Sequence, residues 1–284
     1  MTLSINSKSI TLRSKKLNNV IIKFTDENEL SIIDYLNRTS SFIITFDTPD
    51  LIYSNRKLFK DNRLLGNIDA FLSVFKPFNE LDNVTSEKGT FTNSSVNFSN
   101  NSIFNFVENK FLTESKYFIC DDLGNEWADH IGLFDNSISF YHSKFKNSNF
   151  SASAFQDIIG QAQKNLGNLS PTDNLWPMKK DKWSKKYISS NGVKTNISRI
   201  RKGDNVNDAI EHFKQLKSFP NLIKNVYIII NFVSKRDLTD RLNKLANGEE
   251  FSERNEVIQI LWFVSSLISS CYEVGANIHI LCKE

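Results

Sequence analysis

The chain has few of the residues that mark a secreted, disulfide-bonded protein or a zinc protein. Three cysteines occur among 284 residues: Cys120, Cys271 and Cys282. They are odd in number, lie in apolar runs and show no paired spacing, which argues against a disulfide framework and against a zinc site. We therefore expect three buried thiols.

Long apolar runs are also missing. No stretch reaches the roughly 18 apolar residues that a membrane-spanning helix needs. Residues 1–17 alternate polar and apolar side chains and lack the apolar block of a secretion signal. These absences predict a cytoplasmic protein that does not enter a membrane.

The overall charge is small. Hydrophobic residues make up 40% of the chain and charged residues 24%, which is ordinary for a globular protein, and the net charge is +3. A chain of this length can bury one large core or two modest ones. Because the net charge is low, an acidic partner would have to be bound by a local basic patch.

The hydrophobic pattern predicts two domains. Short strand-like runs and one helical stretch suggest a small α+β unit at the start, for recognition or partner docking. Residues 78–101 are polar and rich in Asn and Ser, which is typical of a connecting segment. We place the boundary near residue 95, giving domains 1–95 and 96–284.

From residue 102 the pattern predicts helix, three strands, helix, strand, helix and strand. The first helix begins at Ser102. Ser153 and Gln156 form a predicted capping box for the second. The last three elements are expected at Val226–Phe232, Glu256–Glu273 and Asn277–Cys282.

The most informative segment is 118–145, which contains two strand-like runs joined by a short Asp-Asn-Ser turn. If the loop has an even number of residues, Asp129 lies opposite Lys144, with His142 on the same face. One explanation for a carboxylate beside an ammonium on an apolar face is the site of a metal-dependent phosphodiesterase. A structural ion pair is the alternative, and a one-residue slip would move the acid to the opposite face.

This order of elements resembles the PD-(D/E)XK superfamily, which has the restriction-endonuclease-like fold. The strings DDLGNEWADHI, FYHSKF, IIGQAQKNL and VYIIINFVSK are similar to a nuclease-like module of bacterial helicases and defence-associated proteins. The resemblance covers roughly residues 100–284. It implies an α/β domain, with a mixed central sheet flanked by helices, after the small α+β domain. It also implies that DNA is the substrate and Mg²⁺ or Mn²⁺ the cofactor.

The resemblance also assigns roles to single residues. Asp129 matches the acid that binds the metal, Lys144 the lysine that positions the nucleophile, and Gln161 a glutamine that assists. His142 stands where most members carry an acid, which suggests an altered metal geometry, a ligand from elsewhere or loss of cleavage. If His142 is a poor ligand, Glu126, which lies close by in the sequence, is the natural second metal ligand.

His142 has further interpretations. A neutral imidazole could bind a manganese-like or zinc-like ion, and a protonated one could contact phosphate. A buried histidine that is hydrogen-bonded to a neighbour is equally compatible with the pattern. The His-x-Lys triplet is also similar to that of phospholipase D-like nucleases, although Asn149 replaces the acid of that motif and the motif occurs once.

Other acids have two explanations. Asp121 and Asp122 precede Gly124 and, like Glu126, lie close enough in sequence to supply a second carboxylate. Acids beside glycine are typical of turns, and this explanation is favoured for the two aspartates. Glu87 and Lys88 are interpreted as a solvated loop pair. Gln161, outside the resemblance, would be an ordinary surface residue of a helix.

A basic, aromatic-rich segment is the predicted nucleic-acid interface. Its cations could follow a phosphate backbone while Trp183 and Tyr187 stack on bases, or they could form an ordinary solvated face. The predicted contacts are Lys179, Lys180, Lys182, Lys185, Lys186, Arg199, Arg201 and Lys202.

Together these observations predict a metal-dependent DNA nuclease, and the resemblance implies that it acts in bacterial defence against foreign DNA. The alternative is an inactive nuclease-fold module that binds nucleic acid or organises a complex. A helicase or ATPase is the expected protein partner, and a homodimer is compatible with the pattern.

Overall fold

The computed structural model describes residues 1–25, 28–48, 51–60, 65 and 68–284. The chain divides into two compact units, Met1–Asn67 and Ile68–Glu284. The boundary predicted near residue 95 differs from this division because residues 68–95 contribute a helix and a strand to the second unit.

The first unit contains short strands in small antiparallel sheets. Its strands are β1 (Thr2–Ile5), β2 (Ile10–Arg13), β3 (Ile21–Lys23), β4 (Glu29–Ser31), β5 (Ile43–Thr45), β6 (Leu51–Ser54) and β7 (Lys57–Lys60). Its helices are α1 (Lys15–Asn18) and α2 (Ile32–Thr39). Strand β1 pairs with β2, β3 with β4, and β6 with both β5 and β7. The helix α2 begins where the Ser31 hydroxyl accepts a hydrogen bond from the Asp34 N–H.

The second unit contains the long elements. Its helices are α3 (Ile68–Ser73), α4 (Ile103–Phe111), α5 (Ala152–Asn165), α6 (Trp176–Trp183), α7 (Val206–Lys217), α8 (Lys235–Ala246) and α9 (Arg254–Glu273). Its strands are β8 (Phe75–Pro77), β9 (Tyr117–Cys120), β10 (His130–Leu133), β11 (Ser137–Lys144), β12 (Lys186–Ile188), β13 (Lys194–Ser198), β14 (Ile200–Lys202), β15 (Ile223–Ser234) and β16 (Ala276–Lys283). Short 3₁₀ turns lie at Asn79–Asp82, Leu166–Leu169 and Asp173–Leu175.

Seven of the strands described within residues 68–284 form a mixed central sheet in the order β14-β9-β10-β11-β15-β16-β8. Strands β14, β9, β10 and β11 pair antiparallel. Strands β11, β15, β16 and β8 pair parallel. The pairing of β12 with β13 forms a separate two-stranded ribbon.

Helices cover both faces of this sheet. On one face, α4 packs through Ile103, Phe106 and Val107 against a buried cluster that includes Tyr141 and Ile229. Neighbouring side chains of a strand alternate between faces, so Phe140, His142 and Phe232 lie on the opposite face. There the α5 side chain Phe155 packs edge-on against Phe232, and α9 packs against α5 and β16.

The strongly periodic predictions are confirmed. Strand β15 contains the predicted run Val226–Phe232, and α9 and β16 contain the predicted final helix and strand. Helix α5 starts earlier than predicted, because the hydroxyl of Ser151 accepts from the Ala154 N–H and makes Ser151 the N-cap in place of Ser153.

The segment between α5 and α7 is ordered over most of its length. It forms α6, the β12–β13 ribbon and β14, which is an edge strand of the central sheet. All three cysteines are buried free thiols, as predicted. None of the described helices combines the length and the apolar character that crossing a bilayer requires.

Candidate metal centre

The hairpin of β10 and β11 has a register two residues away from the predicted one. Ile131 pairs with Phe140, and Leu133 pairs with Ile138. The Phe134 N–H donates to the Ser137 carbonyl, so the loop holds only two residues, 135 and 136.

Asp129 therefore lies beside Tyr141–Ser143 and is not opposite Lys144. Its N–H donates to the Tyr141 carbonyl at 3.0 Å. The shift is an even number of residues, so the predicted faces of β10 and β11 are preserved even though the partners change.

Three carboxylates converge where β9 ends and β10 begins. Asp122, Glu126 and Asp129 each offer one oxygen atom, and these atoms lie within 4.8 Å of one another. Asp122 and Asp129 are buried and Glu126 is partly exposed. Opposite ligands of Mg²⁺ stand about 4.2 Å apart, and those of Ca²⁺ about 4.8 Å apart. This all-oxygen donor set fits a hard divalent cation. We call these three residues the carboxylate cluster.

Asp129 is held by its neighbouring strand. One oxygen of its carboxylate accepts a hydrogen bond from the Ser143 N–H at 2.6 Å. Burial raises the pKa of Asp129 well above its usual value, and the nearby Asp122 raises it further, while Lys88 and the Ser143 amide act in the opposite direction. Asp129 thus favours its neutral, protonated form unless a cation compensates the negative charge of its carboxylate.

Glu126 is oriented by two hydrogen bonds. The Leu123 N–H donates to one carboxylate oxygen, and the side-chain amide of Gln161 donates to the other, both at 2.8 Å. The second bond ties α5 to the carboxylate cluster. Gln161 therefore contacts a predicted metal ligand, and its supporting role stays a prediction.

The loop that carries Asp122 and Glu126 is organised around Asp121. The Asp121 carboxylate accepts from the Trp127 N–H at 2.8 Å, from the Trp183 indole at 2.8 Å and from the Lys179 ammonium at 2.5 Å. Asp121 is fully buried, and these donors occupy its oxygens. It is a structural residue of the loop.

Helix α6 fixes the tip of the same loop. Lys179 donates to the Asn125 carbonyl at 2.7 Å, and Lys182 donates to the Gly124 carbonyl at 2.6 Å. Leu123, Gly124 and Asn125 have φ angles of 65°, 56° and 40°. Consecutive left-handed residues persist where surrounding contacts over-determine them, and such strain concentrates at functional sites.

Lys88 supplies the cation at the cluster. Its ammonium lies 2.8 and 3.0 Å from the two carboxylate oxygens of Asp122 and 3.4 Å from Glu87. Burial lowers the pKa of Lys88, but Asp122 and Asp129 outweigh burial and hold the pKa above its usual value. The prediction that Glu87 and Lys88 form a solvated loop pair is wrong, because the Lys88 side chain is only 19% exposed.

Lys144 lies next to the cluster along the backbone. The residue before it, Ser143, donates to Asp129, and the residue after it, Phe145, donates its N–H to Glu87 at 3.4 Å. The Lys144 ammonium itself lies 3.5 Å from Asp157 of α5, in a partly exposed pair. Ion pairs found within the described parts of the chain do not join Lys144 to Asp129, so the alternative of a structural pair between them is not observed.

His142 is buried, with 1% of its surface exposed. Burial, with a smaller contribution from Lys164, lowers the pKa of His142 to about 3. Its Nδ1 atom has no hydrogen-bond partner among the described residues. The low pKa disfavours the protonated form that would contact phosphate. A neutral imidazole is the nucleophilic form, but its burial keeps the ring away from a phosphate in solvent. The burial therefore disfavours the phospholipase D-like interpretation with Asn149.

The predicted basic interface separates into two groups. Four of its eight cations are largely buried and bind other groups of the protein. Lys179 and Lys182 hold the loop around Asp121, as described above. Arg199 donates to the carbonyls of Cys120 and Asp122. Arg201 forms a two-pronged pair with Glu108, at 2.6 and 2.9 Å.

The remaining cations lie nearer the solvent. Lys180, Lys185 and Lys186 are exposed, and Lys185 pairs with Asp181 at 2.5 Å. Lys202 is partly exposed and donates to the Thr113 carbonyl at 2.6 Å. The surface available to a phosphate backbone is therefore smaller than the sequence suggested.

The sequence does not single out two residues at the cluster. Asp122 is a possible second carboxylate for which a turn role is favoured, although its spacing of four residues from Glu126 across a glycine turn is a usable signal. Lys88 lies 34 residues from Asp122 in the chain, and no local pattern connects the two.

Comparisons of the chain with protein-family models, with curated proteins and with solved structures gave no match. Functional inference therefore depends on the geometry of the site.

Proposed function

We propose that this protein hydrolyses phosphodiester bonds of DNA in a reaction that requires a divalent cation, Mg²⁺ or Mn²⁺. The observation that carries this proposal is the convergence of Asp122, Glu126 and Asp129 within 4.8 Å at the end of a mixed sheet. A bound cation would polarise a phosphoryl oxygen and ease deprotonation of the attacking water. Three buried or half-buried carboxylates fit such a cation better than they fit a purely structural role.

The side chains around the cluster have separable tasks in this proposal. The Ser143 amide and Gln161 orient Asp129 and Glu126 through the hydrogen bonds already described. Lys144 positions the nucleophile and offsets charge in the transition state, because its backbone lies beside the anchor of Asp129. His142 fills the buried position next to them on β11 and supports that strand.

The restriction-endonuclease-like fold is part of the proposal. The order α4, antiparallel β9–β10–β11, α5 and then parallel β15 and β16 agrees with it. The defence role, a helicase or ATPase partner, cytoplasmic location and homodimer formation stay predictions from the resemblance or the composition.

A cleavage assay tests the proposal. The wild-type protein is incubated with plasmid DNA in Mg²⁺, in Mn²⁺ and in EDTA, beside Asp129→Asn and a control, Asp240→Asn, which changes an exposed acid of α8. We expect cleavage that requires the cation, is lost in Asp129→Asn and persists in Asp240→Asn. Equal cleavage by Asp129→Asn, or cleavage in EDTA, would contradict the proposal.

The second candidate is a module that binds nucleic acid without cutting it. The observation that favours it is His142, a buried neutral side chain at the position where a second strand acid was expected. Such a protein would bind DNA with a steep salt dependence. Replacing the exposed Lys180 and Lys186 by Gln should reduce the salt slope by about one for each phosphate that is no longer neutralised. Binding without cation-dependent cleavage would support this candidate.

A further inference from the structure

We propose that Lys88 is an internal counter-ion of the carboxylate cluster and that it competes with the divalent cation for it. This inference depends on the proposed function, because it assumes that the cluster binds a metal. It assigns to Lys88 the control of cation affinity, a role separate from that of Lys144 on β11.

The first support is the position of the ammonium. Lys88 contacts both carboxylate oxygens of Asp122, at 2.8 and 3.0 Å. Its charge also acts on Asp129, a second member of the cluster. An ammonium at this place neutralises part of the negative charge that a divalent cation would otherwise neutralise.

The second support is that the backbone around Lys88 is fixed. The N–H groups of Ile103 and Phe104, at the start of α4, donate to the carbonyls of Ser86 and Glu87, both at 3.0 Å. The Ser99 N–H donates to the Lys88 carbonyl at 3.2 Å. These hydrogen bonds anchor the backbone of Lys88, so a displacement of its ammonium would require rotation of the side chain alone.

The third support is the close packing after Lys88. Gly89 has a φ of +88°, and a Cβ atom added there would stand 1.8 Å from the Ser99 hydroxyl. Only glycine fits this position without displacing the neighbouring chain. The turn therefore holds Lys88 against the cluster, where its ammonium also lies 5.0 Å from the centre of the Phe104 ring.

Two effects follow from this arrangement. Without metal, Lys88 stabilises the fold, because it compensates buried carboxylates that would otherwise repel one another. With metal, the ammonium must move away or repel the incoming cation, so its presence weakens metal binding. Removal of the charge should lower the stability of the metal-free protein and raise its affinity for the cation.

The test measures Mn²⁺ binding by calorimetry, and thermal unfolding with and without Mn²⁺, on the full chain. The variants are Lys88→Met, Lys88→Arg and Asp129→Asn. The control is Lys214→Met, which removes a lysine paired with Glu211 at 2.8 Å on α7. We expect Lys88→Met to bind Mn²⁺ about tenfold more tightly than wild type and to unfold at a lower temperature in EDTA. A guanidinium binds a carboxylate in a two-pronged geometry, so Lys88→Arg should bind Mn²⁺ no more tightly than wild type.

The outcomes separate this inference from the proposed function. If the wild-type protein binds no Mn²⁺, the result contradicts both the proposed metal site and the competition by Lys88. Wild-type binding that Asp129→Asn abolishes, together with equal or weaker binding by Lys88→Met, would overturn only the role of Lys88. If Lys88→Met folds only in Mn²⁺, the competition is supported. If Lys88→Met folds neither with nor without Mn²⁺, the test uses Lys88→Arg. Tighter Mn²⁺ binding by Lys88→Arg than by wild type would then overturn the proposed competition.

Discussion

The backbone N–H of Ser143 donates to the carboxylate of Asp129 at 2.6 Å and so ties the candidate metal ligand to the strand that carries Lys144. The side chain of the serine is not needed for this bond. The two strands therefore place an acid and a lysine near one another through backbone geometry, even though their side chains do not pair directly.

Lys144→Ala should lose DNA cleavage while it keeps the metal. The ammonium is proposed to act on the nucleophile and the transition state, so its loss should slow single-turnover cleavage about 100-fold or more. Mn²⁺ affinity measured by calorimetry should stay near the wild-type value. Unchanged cleavage by Lys144→Ala would exclude a catalytic role for this lysine.

Gln161→Leu should weaken metal binding without unfolding the protein. Its amide fixes one oxygen of Glu126 at 2.8 Å. Groups that orient metal ligands typically contribute about 10- to 100-fold in affinity. Calorimetry with Mn²⁺ should show this loss. The control Gln163→Leu lies on the same helix but bonds to Ser266 and Ser270. Equal affinities in the two variants would contradict the supporting role of Gln161.

Lys179→Met should destabilise the protein strongly. Lys179 is fully buried and pairs with Asp121 at 2.5 Å. Its removal leaves the buried Asp121 carboxylate with the weaker Lys182 pair at 3.1 Å. The expected cost is about 3–5 kcal/mol in the free energy of unfolding. The neighbouring exposed Lys180→Met should change it by no more than about 0.5 kcal/mol. Denaturant unfolding compares the two. A small change in the free energy of unfolding of Lys179→Met, together with weakened DNA binding, would contradict the structural role and support a place for Lys179 in the nucleic-acid interface.

His142→Gln should make the stability less sensitive to acid. Burial holds the pKa of folded His142 at about 3, against 6.5 in its ordinary state. Between these values His142 is protonated in the unfolded chain and neutral in the folded chain. The contribution of His142 to the free energy of unfolding is therefore complete above pH 6.5 and is lost as the pH falls towards 3. Each unit of this difference corresponds to about 1.4 kcal/mol. Denaturant unfolding at pH 7 and pH 4 should show a smaller loss of stability on acidification for His142→Gln than for wild type. Equal losses in the two proteins would contradict the burial of a neutral imidazole.

The parts of the fold that depend on local periodicity could be predicted from the sequence. The apolar run of β15 and the long apolar helix α9 are examples, because burial on one or both faces leaves a direct pattern in the residues. The start of α5 could not be predicted as well, because Ser151 and Ser153 are both acceptable caps and only their geometry separates them.

The candidate site was only partly predictable. The sequence points to Asp129, Glu126 and Gln161, and the structure brings Gln161 and Glu126 into contact. The register of the hairpin depends on which residues form the loop. The polar turn sequence does not determine whether the loop has two residues or four. The contact of Lys88 with Asp122 depends on tertiary structure alone, as does the burial of Lys179 among residues of the 121–127 loop.

The most direct test of the central claim is an anomalous difference map from crystals of the protein soaked in Mn²⁺. We predict a peak that contacts carboxylate oxygens of Asp122, Glu126 and Asp129, with the Lys88 ammonium moved away from Asp122. A map without a peak at these three residues, at Mn²⁺ concentrations that support cleavage, would contradict the metal site and the proposed chemistry.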